Sequence, residues 1–151
     1  MFSNHPFDTT IFQLEFAVQA APAVATGFQF FLPVIARIEI ISIYVSLQTD
    51  ATVGDRIVYV SPMQIAAIRN RFYASRPQPA ATLIDYSFYR GAPIDNGIAP
   101  LAAHITSPLG LGVILDNIDQ IQVQCLNMQA GDQFSGCYIY YRQWLKGTVA
   151  V

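Results

Sequence analysis

Alternation of apolar and polar residues dominates this sequence, and it is most regular between residues 37 and 48. Up to Ile40 the apolar residues hold one parity, and from Ile41 onward they hold the other. Period-two alternation predicts a β-strand with one face in a core. The change of parity predicts a β-bulge, a bend from one sheet into another, or a strand buried on both faces at that point.

Similar segments recur along the chain, separated by turn-rich stretches of Gly, Pro, Asp and Asn. Residues 63–72 fit a strand better than the short helix that the preceding Ser61-Pro62 pair also permits. With about eight strands, the pattern predicts an all-β, single-domain antiparallel β-sandwich, jelly-roll-like in its connections. We expect an N-terminal arm at 1–10, the sandwich at 11–146 and a C-terminal tail at 147–151. The other predicted strands are 11–16, 27–32, 56–61, 82–89, 101–105, 120–126 and 136–145.

Two cysteines flank a predicted turn near the C-terminus. If that turn centres on Gly131, Cys125 and Cys137 lie opposite each other in a hairpin. A disulfide between them is geometrically conceivable. In a chain made in the cytosol, two free thiols are the better expectation.

The scarcity of charge limits what the surface can be. Only 12% of residues are Asp, Glu, Lys or Arg, against about 25% in typical soluble domains, and mean hydropathy is +0.36. A solitary domain needs a charged, patch-free exterior. Three classes fit such a chain: a membrane protein, a secreted protein, and a subunit whose faces neighbours cover.

The sequence disfavours the first two of these classes, each for its own reason. The apolar runs are short and interrupted, for example by Pro33 and Arg37, whereas a membrane-spanning helix needs about 20 apolar residues. The start, Met1 to Pro6, lacks the basic and apolar regions of a signal peptide. We therefore expect synthesis in the cytoplasm, no membrane partner, and a surface that other polypeptides cover.

Residues with catalytic or ligand chemistry are few. The net charge of −2 and the scattered arginines give no basic field for nucleic acid. His5 and His104 lack the partners of a triad or a metal motif, and residues 116–119 resemble an Asx turn more than a calcium loop. The sequence predicts no enzyme activity, no catalytic residue, no metal site, no cofactor and no nucleic acid partner.

The last predicted strand carries a stripe of aromatic residues. Tyr138, Tyr140, Arg142 and Trp144 share one of its faces. Tyr, Trp and Arg dominate the energetic centres of protein interfaces, so we predict a protein interface there. A carbohydrate-stacking platform is the main alternative, and ordinary core packing of part of the stripe is the other.

Residues 49–56 form a loop motif with the sequence Thr-Asp-Ala-Thr-Val-Gly-Asp-Arg. This motif resembles one in small structural proteins of tailed bacteriophages. In those proteins a strand runs into the pattern T-(D/S)-A-x-V-G-(N/D)-R and returns as an alternating strand. Residues 42–60 of this chain match that pattern of strand, loop and returning strand. Residues 126–132 are loosely similar to the same proteins. The final strand departs from the pattern because it is more aromatic. The matching loop positions are Thr49, Asp50, Ala51, Val53, Gly54, Asp55 and Arg56.

The resemblance implies a virion structural protein, with head decoration (cement), neck and tail placements all open. Its implied partners are the major capsid protein or other virion proteins, together with further copies of itself as a dimer or trimer. A receptor- or glycan-binding module on a tail or fibre is the alternative. Independently of the resemblance, Gly54 suits a positive φ, and Arg56 can reach back to Asp50 or the loop carbonyls. That arrangement predicts a structural clasp.

Overall fold

A computed structural model describes residues 13–31, 36–64, 67–68, 70–92, 104–110, 114–116 and 120–145. Within these ranges the chain forms strands and no helix, which confirms the all-β prediction. The strands are β1 (Gln13–Gln19), β2 (Phe28–Phe31), β3 (Ala36–Gln48), β4 (Ile57–Gln64), β5 (Ala67–Ile68), β6 (Phe72–Tyr73), β7 (Leu83–Arg90), β8 (His104–Leu109), β9 (Ile114–Asp116), β10 (Gln120–Leu126) and β11 (Gln133–Leu145).

The strands form two sheets. Sheet A has the order β1-β11-β3-β7-β8, and β9 pairs with β3 beside β7. Sheet B has the order β2-β10-β4-β5, and β6 also pairs with β4. Neighbouring strands are antiparallel except for β7 and β8, which run parallel at one edge of sheet A.

The pairing is nested and alternates between the sheets. The first strand pairs with the last, β1 with β11, in sheet A, and the next pair inward, β2 with β10, lies in sheet B. The pair β3 with β7 returns to sheet A, and β4 with β5 and β6 returns to sheet B. A long antiparallel hairpin rolled up in this way is a jelly roll, so the predicted architecture is confirmed.

The parity change in β3 is produced by a β-bulge. Tyr140 of β11 pairs with Ser42 and Tyr141 pairs with Ile40, which leaves Ile41 as the extra residue. Because of this bulge, the apolar side chains before and after Ile41 point to the same face of the sheet. Ile38 and Ile40 before it, and Ile43, Val45 and Leu47 after it, are all buried on the core side. Of the three explanations for the parity change, the bulge is the one found.

The core lies between the two sheets. Rings meet across it: Phe28 of β2 lies 5.7 Å from Phe134 of β11, and Phe30 lies 6.1 Å from Tyr141. Such tilted aromatic contacts add to the free energy gained by burying apolar surface. Much of the core comes from the long strands, with Ile43, Val45, Leu47, Val58, Tyr86, Phe88, Ile105, Ile121, Val123 and Ile139 almost fully buried.

The cysteine hairpin is a wrong prediction. Strand β10, with Cys125, belongs to sheet B and strand β11, with Cys137, belongs to sheet A, so the segment between them crosses from one sheet to the other. Both cysteines are free, Cys137 buried and Cys125 half-buried. Alternation predicts a strand whose two faces differ in polarity, but strands in either sheet satisfy it equally.

Residues 108 and 109 lie beyond the predicted strand 101–105, and they complete β8. Pro108 is tolerated because β8 is an edge strand, where a missing backbone donor costs no ladder bond. Residues 63, 64, 67, 68 and 72 lie in strands β4, β5 and β6, which favours the strand interpretation of 63–72 over a helix. The predicted arm 1–10, the tail 147–151, His5, the 117–119 turn and most of the turn-rich 91–100 segment lie outside the described residues.

Candidate interaction surface

The predicted clasp residues lie together at one end of the sandwich. Arg56, fully buried, donates from Nη2 to Oδ1 of Asp50 at 2.6 Å. Its Nη1 donates to the carbonyl oxygens of Thr52 at 2.6 Å and Gly54 at 2.5 Å. Gly54 has a φ of +142°, a backbone region that strongly favours glycine. The guanidinium therefore closes the 50–55 loop onto the start of β4.

Asp132, which the sequence reasoning missed, completes the clasp. Its carboxylate accepts Arg56 Nε at 3.0 Å and Nη2 at 3.2 Å. It also accepts the backbone N–H groups of Asp50 at 2.9 Å and Gln129 at 2.8 Å. A fork-shaped ion pair with further backbone donors is the arrangement in which a buried charge pair is satisfied.

The protonation of the clasp follows from these contacts. Burial raises the pKa of Asp132, but the Arg56 hydrogen bonds, the backbone donors of Gln129 and Asp50, and the guanidinium charge outweigh it. The net effect holds the pKa of Asp132 below its usual range. The Asp132 hydrogen bond raises the pKa of Arg56 against the opposing effect of burial. The pair is therefore ionised at neutral pH.

The clasp joins the two stretches that carry the sequence resemblance. Besides the Asp132 contacts, the backbone N–H of Gly131 donates to Oδ2 of Asp50 at 3.2 Å. A Cβ at Gly131 would lie 2.8 Å from Asp50 Cβ, so only glycine permits this close approach. The loose similarity at 126–132 was a signal for Asp132, but nothing in the sequence fixed its partner across the sandwich.

The predicted interface stripe lies on the outer face of sheet A. Tyr138 and Tyr140 are exposed, whereas Arg142 and Trp144 are partly covered. None of the four belongs to the buried core between the sheets. The structure thus keeps the stripe on one face, as the alternation predicted, and leaves its role to be tested.

Strand β1 widens this stripe into a patch. Across the β1–β11 ladder Phe16 lies opposite Tyr140, Val18 opposite Tyr138 and Leu14 opposite Arg142. The exposed fractions are 68% for Leu14, 50% for Phe16, 54% for Val18, 39% for Tyr138 and 48% for Tyr140. We call these five residues the aromatic patch. The sequence reasoning missed the contribution of β1 because the pairing of the first strand with the last is non-local.

The rings of the patch are in contact with one another. Phe16 lies 4.7 Å from Tyr140 and 6.0 Å from Tyr138 between ring centroids. Tyr138 in turn lies 5.9 Å from Tyr44, whose ring lies 6.4 Å from His104 on the edge strand β8. His104 is exposed, as expected for a histidine on a strand edge. The packed rings give the patch a fixed shape.

A charged cleft adjoins the patch where the β3 bulge lies. Glu39, although on the outer face, is nearly buried because two arginines cover it. Its Oε1 accepts Nη1 of Arg90 and its Oε2 accepts Nη1 of Arg142, both at 2.9 Å. The guanidinium of Arg142 also lies 5.8 Å from the centre of the Trp144 ring. The cleft has a volume of about 320 Å³ and is bounded further by Ile40, Ile41, Ser42 and Tyr89.

The outer face of sheet B differs from that of sheet A. Its central residues are polar, with Gln29, Gln122 and Gln124 aligned across β2 and β10. Phe31 is exposed at the end of β2, and Tyr59 and Tyr73 pair their rings at 5.6 Å. The apolar surface of the described sandwich is therefore concentrated at the β1 side of sheet A.

Burial keeps the two cysteine thiols protonated and therefore unreactive. Desolvation raises the pKa of both Cys125 and Cys137 to about 12, so neither is a thiolate at neutral pH.

Across the described residues, no helix combines the length and the apolarity that crossing a bilayer requires. In the same residues no group of three or more His, Cys, Asp or Glu side chains is arranged to hold a metal ion.

Comparison with known proteins gives only loose structural similarity. No protein-family model and no curated protein sequence matches the chain. A chain from the disulfide-linked pili of Bacillus endospore appendages is 9% identical, with a TM-score of 0.38 over 89% of this chain and 88% of its own length. Chains from infectious bursal disease virus, strains Gx and Gt, are 10% and 6% identical, with TM-scores of 0.39 and 0.40 over 95% of this chain. This chain spans 38% of the length of either viral chain. Similarity this loose carries no argument about what the chain does.

Proposed function

We propose that this chain is a virion structural protein, and specifically a capsid decoration or cement protein of a tailed bacteriophage. In this role it binds the major capsid lattice through the aromatic patch and stabilises that lattice. The bacteriophage assignment derives from the loop motif at residues 42–60. The observation that supports the binding role is the patch itself. It is an exposed apolar surface on one sheet, in a chain that has few charged residues to hydrate its exterior.

At least a third of the few charged residues are paired with one another within the chain. Of the eight basic and ten acidic residues in the chain, six are paired within the clasp and the charged cleft. Arg56, Asp132 and Glu39 are buried in doing so. A contiguous apolar patch on a surface this poor in charge marks an interaction site.

The composition of the patch suits a protein partner. Two tyrosines and a phenylalanine in mutual contact form a rigid, preorganised surface, which reduces the entropy lost on binding. Arg142 and Trp144 beside them belong to the residue types enriched in interface hot spots. The guanidinium of Arg142 is held by Glu39 at 2.9 Å, so the charged rim of the patch is also fixed in place.

Co-sedimentation tests this proposal. Genome-free particles assembled without the protein are mixed with the purified chain and pelleted, and their resistance to heat is measured with and without it. We expect the wild type to pellet with the particles and raise their disruption temperature. The Tyr140→Ala variant should bind at least about 30-fold more weakly, the loss typical of a hot-spot residue.

The Phe31→Ala variant is the matched control, because it removes an exposed aromatic side chain from the other sheet. It should bind as the wild type does. Wild-type protein that stays in the supernatant would contradict the decoration role, and equal binding by both variants would exclude the patch as the contact.

The charged cleft favours a second candidate function, glycan binding on a tail or fibre. Tyr89 offers a ring at the wall, and Glu39, Arg90 and Arg142 offer planar hydrogen-bonding groups. Small-ligand sites commonly occupy at least about 300 Å³ and combine apolar walls with a few polar groups. A glycan array probed with the wild type and Arg90→Ala tests this alternative; binding lost in the variant would support it, and an array without binding would remove it.

A further inference from the structure

We infer that two copies of this chain join edge to edge through β1, which makes sheet A continuous across a twofold axis and doubles the aromatic patch. The inference deepens the proposed assembly function by naming a self-association surface. It is tested on the purified chain alone, so its failure and the failure of the capsid-binding role are separate results.

Strand β1 is hydrogen-bonded on one side. It pairs with β11 over its whole length from Gln13 to Gln19, and among the described residues no strand lies on its other edge. The free edge of a seven-residue strand exposes backbone donors and acceptors that template pairing with another strand. Natural monomers blunt such edges with charged side chains, especially lysine, with proline or with a bulge. β1 contains no lysine or proline, its described ladder with β11 is regular, and its one charged residue is Glu15.

The sequence of β1 is complementary to itself in one antiparallel register. If Phe16 lies opposite Phe16 of a second copy, all seven residues find a partner. Leu14 then meets Val18 on the outer face, and Glu15 meets Ala17 on the other face, so no like charges face each other. Apolar cross-strand pairs of this kind stabilise a sheet.

Neighbouring registers are worse. A shift that centres the axis on Glu15 places two carboxylates directly opposite, which is destabilising. A shift that centres it on Ala17 pairs fewer β1 residues and leaves Leu14 beyond the strand. The register centred on Phe16 is therefore the one that uses the whole edge.

The second copy also accounts for the exposure of the β1 side chains. Leu14, Phe16 and Val18 are flanked on one side by β11 and are the most exposed members of the aromatic patch. Pairing with a second β1 flanks them on the other side as well. The two patches would then form one apolar strip centred on the twofold axis.

Disulfide trapping tests the register. In a Cys125→Ser background, single variants Leu14→Cys and Val18→Cys are purified, mixed and oxidised; Cys137 is fully buried and stays in place. Directly opposed residues have Cα atoms about 4.5–5.5 Å apart, within the range of about 4.4–6.8 Å that a disulfide accepts. We expect the mixture to form a covalent dimer, and Phe16→Cys to form one alone.

Leu14→Cys or Val18→Cys alone should form no covalent dimer under oxidation. Two copies of Leu14 would lie about 13 Å apart along the strands in this register, too far for a disulfide. A mixture that does not cross-link, or variants that cross-link equally well alone, would overturn the inference.

Light scattering after size exclusion gives an independent test. The wild type should elute as a dimer, and Phe16→Lys, which places two lysines at the axis, should shift the dimer dissociation constant at least tenfold upward. Phe31→Lys is the control, since Phe31 is exposed on the edge strand of sheet B. A monomeric wild type, or equal dissociation by both variants, would overturn the inference.

Discussion

Arg56 joins two separate parts of the chain at one buried point. Its guanidinium binds the 50–55 loop through Asp50 and two carbonyl oxygens, and it binds the β10–β11 connection through Asp132. The connection is where the chain passes from sheet B to sheet A. The donors of the guanidinium are directed at partners within the chain, so these contacts hold the loop against the connection.

Replacing Arg56 by alanine should lower the free energy of unfolding by about 3–5 kcal/mol, because the buried Asp132 carboxylate loses its counter-charge. Arg56→Lys should recover part of this loss only, since an ammonium lacks the fork that serves both carboxylates. Urea unfolding followed by tryptophan fluorescence measures both.

The control for that series is Arg71→Ala. Arg71 is exposed and lies 5.4 Å from the Tyr59 ring centre, a contact worth about 0.5–1 kcal/mol. If Arg56→Ala costs no more than Arg71→Ala, the clasp is not the structural centre described here.

The pKa of Asp132 gives the stability a defined pH dependence. Because the folded state holds this pKa below its usual range, the unfolded chain binds the proton first as the pH falls. The stabilisation is complete above the ordinary aspartate pKa of about 3.9 and is lost as the pH falls through and below it. Asp132→Asn should show a shallower decline over that window in urea unfolding at a series of pH values. Equal slopes for the two proteins would show that Asp132 does not carry this dependence.

At the scale of the element, the bulge at Ile41 allows both halves of β3 to bury their apolar side chains in the same core. If Ile41 instead occupied a regular position in the ladder, either Ile38 and Ile40 or Ile43, Val45 and Leu47 would point away from the core. The same bulge places Glu39 beneath two arginines on the outer face. One irregularity therefore supports both the packing of the core and the charged cleft.

Deleting Ile41 should leave the native fold intact, because Ile40 and Ser42 then become neighbours and pair with the adjacent Tyr141 and Tyr140 in a regular ladder. The apolar residues on both sides of the deletion then share one parity and still face the core. Ile41→Ala keeps the bulge and should cost little, since Ile41 is only half-buried. Near-ultraviolet circular dichroism and thermal melting check both variants, and a deletion variant that loses cooperative melting would contradict this account of the strand.

The sequence predicts the elements far better than their partners. The alternation at 120–126 matches the observed β10, and the parity change locates the bulge. The same alternation cannot tell that β10 and β11 lie in different sheets, nor that β1 pairs with β11, because these pairings are set by tertiary packing. The clasp shows the same division: Gly54 and Arg56 mark their own loop, whereas Asp132 is brought in from 76 residues away along the chain.

At the scale of the whole molecule, the distribution of charge agrees with a subunit that neighbours cover. The described arginines and carboxylates of the clasp and the cleft neutralise one another, while the β1 side of sheet A is left apolar. In the proposed capsid-binding role, the aromatic patch would face the partner, and the glutamine-rich face of sheet B would face away from it.

Hydroxyl-radical footprinting of the free protein and of the same protein in its native particle tests this central claim directly, because radicals oxidise exposed aromatic side chains. We predict that Phe16, Tyr138 and Tyr140 are oxidised in the free protein and strongly protected in the particle. Phe31 and Tyr73 on sheet B should react at similar rates in both. Unchanged oxidation of the patch in the particle, or protection confined to sheet B, would contradict the account.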